Sequence, residues 1–414
     1  MKYAIIAIGD ELLAGQVTDT NSGSIARMLE PHGWELQHVS VISDSPEAIV
    51  AAVNLAFCDV DVVLTTGGLG PTKDDLTKQT LCRIFGGELY ENAEVLANVE
   101  RVVGARGLKL NRLTAAQAMV PTSCTVIQNE VGTAPLMWFE RDGKVLVAMP
   151  GVPFETETMM RRAVIGRLVG RFPSADSLQR RVVMVHGMSE SAIAEMLVEW
   201  EDSLPSYAHL AYLPKPGVVR LRIDGRHTDA AFLGAEMERL HGELIALIPS
   251  GNLMAATDVT PEKALLDCLV DRGLTFASAE SCTGGMIASR ITSLPGASRA
   301  FCGGVVAYAN EAKTAMLGVD PAMIATHGAV SRQVVEQMAA GALKRFGADI
   351  AVATSGIAGP DGGTTEKPVG TVWMAVATAE GTEASVYRFP GSRDRVIDRA
   401  ATVALLSALT RLQN

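Results

Sequence analysis

The sequence predicts a multidomain α/β protein in which a small α+β domain connects two larger α/β domains. The first part of the chain alternates short apolar runs with longer amphipathic ones, and this alternation returns over about the last 150 residues. Between the two parts the order changes, near Gly170, to β-α-β-β-α. Because strands that alternate with helices pair in parallel through right-handed crossovers, the first part indicates a parallel sheet. We expect three domains and a linker, at residues 1–170, 171–252, 253–261 (the linker) and 262–414.

The elements of the first domain follow from its apolar periodicity. YAIIAIG predicts a strand, SGSIARMLEPHG a helix that ends at Gly33, and WELQHVSVIS a second strand. PEAIVAAVNLAF predicts a helix with Pro46 in its first turn, and VDVVLTTGG a third, fully apolar strand. Further on, KVLVAMPG predicts a strand that ends in a glycine loop, and FETETMMRRAVIGRLVGRF predicts the helix after it.

The remaining elements are predicted in the same way. The small domain has the strand RRVVMVHG, the helix SESAIAEMLVEW, the strand pair in HLAYLPKPGVVRLRIDG and the helix TDAAFLGAEMERLHGELIALI. Turn formers in PSGNLMAATDVTP indicate the linker. The last domain begins with the helix EKALLDCLVDRG, the strand LTFAS and a helix from about Cys282. It continues with the strand FCGGVVAYA, the helix SRQVVEQMAAGALKRF, three strands in ADIAVATSG, GTVWMAVAT and ASVYRFPG, and a terminal helix from about Arg393.

Composition excludes several classes of protein. The formal net charge of the 414 residues is -10, which argues against nucleic acid or an anionic membrane as the main partner, since phosphate contacts need a basic face. The six cysteines are scattered and form no C-x-x-C pair, which disfavours a structural zinc site and a disulfide framework. The start MKYAIIAIGDELL predicts a buried strand and not a signal peptide, and no apolar run is long enough for a membrane span. We expect a cytoplasmic protein.

Three glycine-bearing loops follow predicted strands in the first domain, at Gly9, at Thr65–Thr72 and at Met149–Pro153. The loops at the carboxyl ends of parallel strands line the ligand crevice of such a sheet. Glycines there let backbone N–H groups approach phosphate oxygens, and the candidates for this role are Gly67, Gly68, Gly70 and Thr72. Carboxylates suited to Mg²⁺ or Mn²⁺ on a diphosphate follow in the same loops, at Asp10, Glu11, Asp74 and Asp75. Alternatively, each glycine permits a turn and each aspartate caps a helix.

The heptad AESCTGG in the last domain is a candidate catalytic turn. Ser281 lies where a strand leads into a helix, and the N–H groups of Thr283, Gly284 and Gly285 could stabilise an oxyanion there. Cys282 is a rival nucleophile, intrinsically stronger at neutral pH. We rank it second because the residue after the turn should begin the helix and point elsewhere. The heptad could also be only a tight strand-to-helix connection.

A serine nucleophile needs a base, and the last domain holds one histidine, His327. A Ser-His-Asp triad is therefore not predicted. Tyr308 and Lys313 lie just past a predicted strand, like Ser281, and a lysine serves as a base if burial lowers its pKa. The alternatives are a solvated helix residue for Lys313 and a core aromatic for Tyr308.

Two further segments suit an anionic substrate. TSGIAGPDGGT (Thr354–Thr364) is a long polar loop after a buried strand, and it could wrap a ligand with backbone N–H groups. GSRDR places Arg393 and Arg395 at the start of the terminal helix, where a cation opposes the helix dipole. A phosphate partner would explain these arginines, and ordinary surface charge is the alternative.

TTGGLGPTKDDLT resembles the signature of molybdopterin-binding-like domains. With GDELLAGQVTDTNS, GTAPLMWFERDGKVLVAMPGVPFE and ESCTGG, essentially the whole chain resembles the CinA-like competence/damage-inducible protein family. The resemblance implies a molybdopterin-binding-like three-layer α/β domain, a small α+β connector and a C-terminal α/β amidohydrolase domain. It implies that the first domain hydrolyses the pyrophosphate of ADP-ribose with a divalent metal (Mg, Mn or Co). The matching metal positions are Glu11, Asp74 and Asp75, although not every member is implied to be active there.

For the last domain, the resemblance implies conversion of nicotinamide mononucleotide and water to nicotinic acid mononucleotide and ammonia, without a cofactor. The implied nucleophile is Ser281, with Tyr308 and Lys313 in proton transfer or orientation, and their division of labour stays open. The implied substrate contacts are Thr283, Gly284, Gly285, Ser355, Gly356, Gly359 and Arg395, the last as a phosphate contact. A homodimer is a further hypothesis. The rival functions are a molybdenum-cofactor enzyme and a non-enzymatic adaptor in DNA uptake or repair.

Overall fold

The computed structural model describes residues 1–70, 76–173 and 176–413. The chain divides into two compact units. The first comprises Met1–Leu178 with Arg226–Ala230, and the second comprises Gln179–Gly225 with Ala231–Asn414. None of the helices in the described ranges has both the length and the apolar character needed to cross a membrane.

The first unit is built on a six-stranded sheet in the order β2-β1-β3-β8-β7-β6, beside a two-stranded sheet of β4 and β5. Its strands are β1 (Lys2–Ile8), β2 (Glu35–Ile42), β3 (Val62–Thr66), β4 (Leu89–Glu91), β5 (Met119–Pro121), β6 (Thr125–Ile127), β7 (Leu136–Arg141) and β8 (Lys144–Met149). The pairs β1–β2, β1–β3 and β3–β8 are parallel, as predicted. The pairs β7–β8 and β6–β7 are antiparallel and correct the parallel expectation. The reason is a two-residue hairpin at Asp142 and Gly143, which both have positive φ.

Helices cover both faces of this sheet. They are α1 (Asp10–Leu13), α2 (Asn21–Leu29), α3 (Pro46–Asp59), α4 (Thr77–Phe85), α5 (Ala93–Ala105), α6 (Arg112–Ala115), α7 (Pro153–Met159) and α8 (Ile165–Arg171). Alternate residues of β1 point to opposite faces. Accordingly, Tyr3 and Ile5 pack in a core with α2, α7 and α8, while Ala4 and Ile6 pack in a second core with α3 and α4. This arrangement confirms the three-layer α/β domain.

The small domain opens the second unit with the predicted β-α-β-β-α order. Its elements are β9 (Ser177–His186), α9 (Glu190–Asp202), β10 (Ala208–Lys215), β11 (Val218–His227), α10 (Ala230–Leu247) and β12 (Leu253–Ala255). The strand order is β10-β11-β9-β12. The short strand β12 was not predicted: it lies in the expected linker and pairs antiparallel with β9.

The C-terminal domain has a five-stranded sheet in the order β14-β13-β15-β16-β17. Its elements are α11 (Pro261–Arg272), β13 (Phe276–Glu280), α12 (Met286–Thr292), β14 (Phe301–Val306), α13 (Asn310–Leu317), α14 (Pro321–His327), α15 (Arg332–Phe346), β15 (Ile350–Gly356), β16 (Thr371–Thr378), β17 (Gly381–Arg388) and α16 (Arg393–Gln413). Strand β13 is parallel to both β14 and β15, whereas β16 and β17 continue the sheet antiparallel. The helix after β13 begins at Met286, not at about Cys282, because positive φ angles at Gly284 and Gly285 prolong the turn.

Two hydrophobic cores hold this domain. One lies on the side of α15, through residues such as Val334 and Met338. The other contains α11, α12 and α16 on the opposite side, and it also includes Val182, Met184 and Val218 of the small domain. Within the second unit, the small domain and the C-terminal domain therefore share one apolar core.

Candidate functional site

The ends of β13 and β15, the loop after β14 and the start of α16 surround a cavity of about 290 Å³, which we call the Ser281 cavity. Because β13 and β15 run parallel, the residues that follow their last positions meet at one edge of the sheet. Of the predicted site residues, the cavity is lined by Ser281, Tyr308, Lys313, Ser355, Gly356 and Gly359. Cys282, Asn310, Asp361 and Arg393 also line it.

Ser281 directly follows β13 and is 8% exposed. Its N–H donates to the carbonyl oxygen of Thr354 at 3.0 Å, so the backbone of β15 fixes the turn next to the nucleophile candidate. Ser281 is thereby held in the cavity wall and is largely shielded from solvent.

Lys313 lies in α13 and is 1% exposed. Its Nζ donates to the carbonyl oxygen of Tyr308 at 3.1 Å. Burial lowers its pKa, because the charged ammonium loses its hydration. The alternative of a solvated helix residue is therefore wrong, and the pKa of the lysine is shifted in the direction that a base requires.

Tyr308 is 59% exposed, so it is not a core aromatic. Its hydroxyl accepts a hydrogen bond from Arg393 Nη2 at 2.8 Å, and Arg393 Nη1 donates to the carbonyl oxygen of Gly359, also at 2.8 Å. Arg393 thus joins the loop after β14 to the loop after β15 at the cavity mouth.

The predicted phosphate contact Arg395 does not line the cavity; Arg393 does. Two residues along a helix rotate a side chain by about 200°, so the two arginines cannot face the same way. Arg395 is exposed and lies back over Gly391, where a Cβ on the glycine would be 3.2 Å from the arginine Cδ. Arg393 therefore lies at the position expected of Arg395, and a phosphate contact there stays a prediction.

Two of the three N–H groups expected to stabilise an oxyanion have partners within the turn. Gly284 N–H donates to the carbonyl oxygen of Ser281 at 3.1 Å, and Gly285 N–H donates to the carboxylate of Glu280 at 3.0 Å. Thr283 is buried, and its hydroxyl shares a hydrogen bond of 2.8 Å with the hydroxyl of Thr354. The N–H groups of Gly284 and Gly285 thus hold the turn and are not free for an oxyanion, whereas a contact from the Thr283 N–H stays a prediction.

Cys282 lines the same cavity as Ser281 and is buried. Burial raises the pKa of its thiol to about 12, so the thiolate is scarce at neutral pH. This supports its second rank as a nucleophile. The expectation that Cys282 begins the helix and points elsewhere was wrong, since Cys282 lies in the turn before the helix.

The last residues of β15 and the loop that follows them lie close to neighbouring parts of the domain. Ser355 is buried and its hydroxyl donates to the carbonyl oxygen of Ala329 at 2.7 Å. A Cβ at Gly356 would lie 2.7 Å from Val372 Cγ2, and one at Gly359 would lie 2.6 Å from Val369 Cγ1. Both glycines are therefore required by close approach, and the loop forms one wall of the cavity.

Sequence reasoning missed Glu280 and Asp361. Asp361 lay inside the predicted ligand loop but was assigned no role. Glu280 carried a signal, because it is the charged last residue of a strand whose other residues are apolar or small, and it is 1% exposed.

The first unit has a second candidate site, a cavity of about 110 Å³ that we call the Glu11 cavity. All three predicted loops meet there, since its lining includes Glu11, Asp19, Asn21, Thr66, Gly67, Gly151 and Pro153. Asn21 Nδ2 joins two of the loops by donating to Thr66 Oγ1 at 2.7 Å and to the carbonyl oxygen of Gly151 at 2.8 Å. Gly67 has a φ of 100°, and a Cβ there would lie 2.0 Å from the carbonyl oxygen of Ile8.

The predicted metal set is not assembled by the described residues. Gly68 and Gly70 do not line the cavity, and Thr72, Asp74 and Asp75 lie outside the described ranges. Across 1–70, 76–173 and 176–413, no group of three or more His, Cys, Asp or Glu side chains could hold a metal ion. The described residues alone do not fit the metal, so a site at Glu11, Asp74 and Asp75 stays a prediction.

Three family models match successive parts of the chain. They are the probable molybdopterin binding domain at residues 4–169, the damage-inducible protein CinA KH domain at 180–248 and the CinA C-terminal domain at 258–412. The first match confirms the molybdopterin-binding-like domain.

Relatives match over almost the whole chain. A CinA-like protein from Flavobacterium psychrophilum is 40% identical over 98% of this chain and 97% of its own length. A putative competence-damage inducible protein from Caldicellulosiruptor saccharolyticus is 39% identical over 98% of both. The chain belongs to the CinA-like protein family. Among solved structures, competence/damage inducible protein CihA from Agrobacterium tumefaciens is 40% identical and covers 37% of this chain and 94% of its own, with a TM-score of 0.36.

Proposed function

We propose that the C-terminal domain hydrolyses the carboxamide of nicotinamide mononucleotide to nicotinic acid mononucleotide and ammonia. The observation that carries this proposal is that buried Ser281 and buried Lys313 line one cavity, with Arg393 at its mouth. Amide hydrolysis needs a nucleophile and a base, and a phosphorylated substrate suits a nearby guanidinium.

In the first half of the reaction, Ser281 Oγ attacks the carboxamide carbon while neutral Lys313 Nζ accepts the hydroxyl proton. Collapse of the tetrahedral intermediate breaks the C–N bond, and Lys313 returns the proton to the leaving nitrogen, which departs as ammonia. In the second half, water attacks the resulting serine ester, with Lys313 again moving the proton. The products are the free carboxylic acid and regenerated Ser281.

Tyr308 is given an orienting role in this scheme. Its carbonyl oxygen accepts from Lys313 Nζ and its hydroxyl accepts from Arg393. These bonds favour Lys313 for proton transfer and leave Tyr308 to hold the lysine and the arginine in place. Arg393, already fixed by two hydrogen bonds, is pre-organised to bind the 5′-phosphate with its remaining N–H groups.

The test is ammonia release by the full chain from nicotinamide mononucleotide, nicotinamide riboside and nicotinamide. Release with a clear preference for the phosphorylated substrate supports the proposal. Equal turnover of all three would show that no phosphate contact contributes. If none of the three compounds released ammonia, the proposed function would be wrong.

For the N-terminal domain we infer a diphosphate ligand of the ADP-ribose class at the Glu11 cavity. The support is the meeting of three loops there and the close backbone approach that Gly67 permits. Hydrolysis and a divalent metal stay predictions. Release of AMP from ADP-ribose that is lost on chelation and in Glu11→Gln would support both; binding without release would leave a ligand site only, and no binding would overturn the inference.

A further inference from the structure

Glu280 is a buried carboxylate immediately before Ser281, and the proposed reaction does not use it. Its Oε2 accepts from the N–H groups of Gly285 and Ile287, both at 3.0 Å, and its Oε1 accepts from Ala288 N–H at 2.9 Å. Ser278 Oγ lies 3.3 Å from Oε1. The side chain of the last strand residue therefore reaches over the turn and binds the start of the next helix.

This contact compensates for a weak helix start. The first N–H groups of any helix lack partners within the helix. The residue before α12 is Gly285, which has no side chain to cap them, and α12 has only 7 residues. The Glu280 carboxylate supplies the missing acceptor, and its charge is favourable beside the positive end of the helix.

The same residue is fixed through its backbone. The carbonyl oxygen of Glu280 accepts from Ala307 N–H at 2.8 Å, next to the end of β14, while Ser281 N–H donates to Thr354 of β15. The start of the turn, at Glu280 and Ser281, is thus bonded to the chain on both neighbouring sides in the sheet. The end of the turn is fixed by the hydrogen bond that Gly285 N–H donates to the Glu280 carboxylate.

We propose that Glu280 is a positioning residue for Ser281: by binding the far end of the Ser281–Gly285 turn, it sets where the serine hydroxyl points. The inference rests on the proposed function of Ser281 as the nucleophile. Catalytic groups must be held within about 0.5 Å of productive geometry, so a loosened turn lowers the rate of attack.

Loss of the Glu280 contacts should lower kcat more than it changes KM, because the groups assigned to substrate binding lie outside the turn. Arg393 belongs to α16, Ser355 and Gly356 are the last residues of β15, and Gly359 lies in the loop after β15. None of them bonds to Glu280 among the described contacts.

The experiment uses the full chain with Glu280→Gln, Glu280→Ala and Asp349→Asn. The Gln variant keeps the size of the side chain but can accept at only one position, so it folds more readily than the Ala variant. Asp349 is the matched control: it also accepts a backbone N–H, from Thr275 at 2.8 Å, at the opposite end of β13. Steady-state kinetics with nicotinamide mononucleotide and hydrogen exchange of the 281–288 amides are measured.

We expect kcat to fall about tenfold or more in Glu280→Gln and further in Glu280→Ala, with KM within about threefold of wild type, since loss of an oriented group costs turnover and not ground-state binding. Asp349→Asn should keep kcat near wild type. The amides of Gly285, Ile287 and Ala288 should exchange faster in both Glu280 variants and not in the control.

Three results would overturn the proposal: unchanged kcat in Glu280→Gln, a rise in KM that accounts for the whole loss, or an equal loss of kcat in Asp349→Asn. If the wild-type chain releases no ammonia from nicotinamide mononucleotide, the proposed function fails. Hydrogen exchange of the 281–288 amides then tests by itself whether Glu280 holds the turn. Faster exchange confined to the turn supports it, and unchanged exchange contradicts it.

Discussion

Lys313 is the residue on which the proposed proton transfer depends. Burial lowers its pKa from the ordinary 10.5, so its neutral form becomes available at lower pH than for an exposed lysine. We therefore predict that kcat/KM for nicotinamide mononucleotide rises with pH through this lowered pKa and levels off above it. A pH–rate profile of the full chain checks this.

The control for this profile is Lys313→Arg, which keeps the charge but cannot lose it at accessible pH. It should lower kcat by about 100-fold or more at every pH. The lowered pKa of Lys313 also predicts how stability depends on pH. At pH values between the folded pKa and the higher unfolded pKa, the unfolded chain binds more protons than the folded chain. The free energy of unfolding therefore rises with pH in that range. Activity that falls with pH, or an active arginine variant, would remove Lys313 as the base.

Arg393 and Arg395 form a matched pair for testing the phosphate contact. Arg393→Gln removes a guanidinium at the cavity mouth, while Arg395→Gln removes one that points elsewhere. We predict that Arg393→Gln raises KM for nicotinamide mononucleotide by about 10- to 100-fold, the worth of a charge-assisted contact. Arg395→Gln should stay near wild type. The reverse order would restore the sequence-based assignment.

These residues also mark what the sequence could predict. Ser281, Tyr308 and Lys313 were found because each follows a predicted strand, and parallel strands bring such residues together. The choice between Arg393 and Arg395 depends on how α16 is rotated about its axis, which is set by the packing of residues such as Val396 and has no local signal. Likewise, no residue pattern specifies the hydrogen bond that Gly285 N–H donates to the Glu280 carboxylate.

At the scale of elements, the packing of α15 depends on a glycine. A Cβ at Gly341 would lie 1.9 Å from the carbonyl oxygen of Leu317, which is backbone at the end of α13 and cannot move aside cheaply. We predict that Gly341→Ala destabilises the chain by about 1–3 kcal/mol, the usual cost of overpacking. Chemical denaturation measures the change.

The matched control is Gly242→Ala in α10, where a Cβ would meet nothing within 4 Å. That change should stabilise by up to about 1 kcal/mol, because alanine favours helix over glycine. Equal effects of the two substitutions would contradict the packing argument.

Element order was largely predictable from the sequence, as were the parallel pairs of β1, β2, β3 and β8, whereas the antiparallel pairs of β6, β7 and β8 were not. Apolar periodicity located β1, β3, β13 and β15 because these buried strands are nearly continuous apolar runs. The antiparallel β7–β8 hairpin depends on left-handed backbone at Asp142 and Gly143. The three-residue strand β12 has too few residues for any period to appear.

At the scale of the whole molecule, the shared core of the second unit predicts that the small domain supports the C-terminal domain. Val182, Met184 and Val218 pack in one cluster with Leu405 and Leu406 of α16. A fragment of residues 258–414 should therefore melt at a lower temperature than a fragment of residues 179–414, because removal of the small domain exposes apolar surface. Equal melting temperatures would show that the two domains are independent.

The small domain matches the KH family, and KH domains clamp nucleic acid with a G-x-x-G loop. The glycines between residues 180 and 248 are Gly187, Gly217, Gly225, Gly234 and Gly242, and no two of them are three positions apart. Residues 180–248 therefore lack a G-x-x-G pattern, and the expectation that nucleic acid is not the partner stays a prediction.

The proposed amidase reaction depends above all on Ser281 as its nucleophile. The most direct measurement is ammonia release from nicotinamide mononucleotide by the intact chain, Ser281→Ala and Cys282→Ala. We predict a loss of about 1,000-fold or more in Ser281→Ala, as expected for a covalent nucleophile, and activity within about threefold of wild type in Cys282→Ala, whose thiol is protonated at neutral pH. An active Ser281→Ala beside an inactive Cys282→Ala would contradict the account.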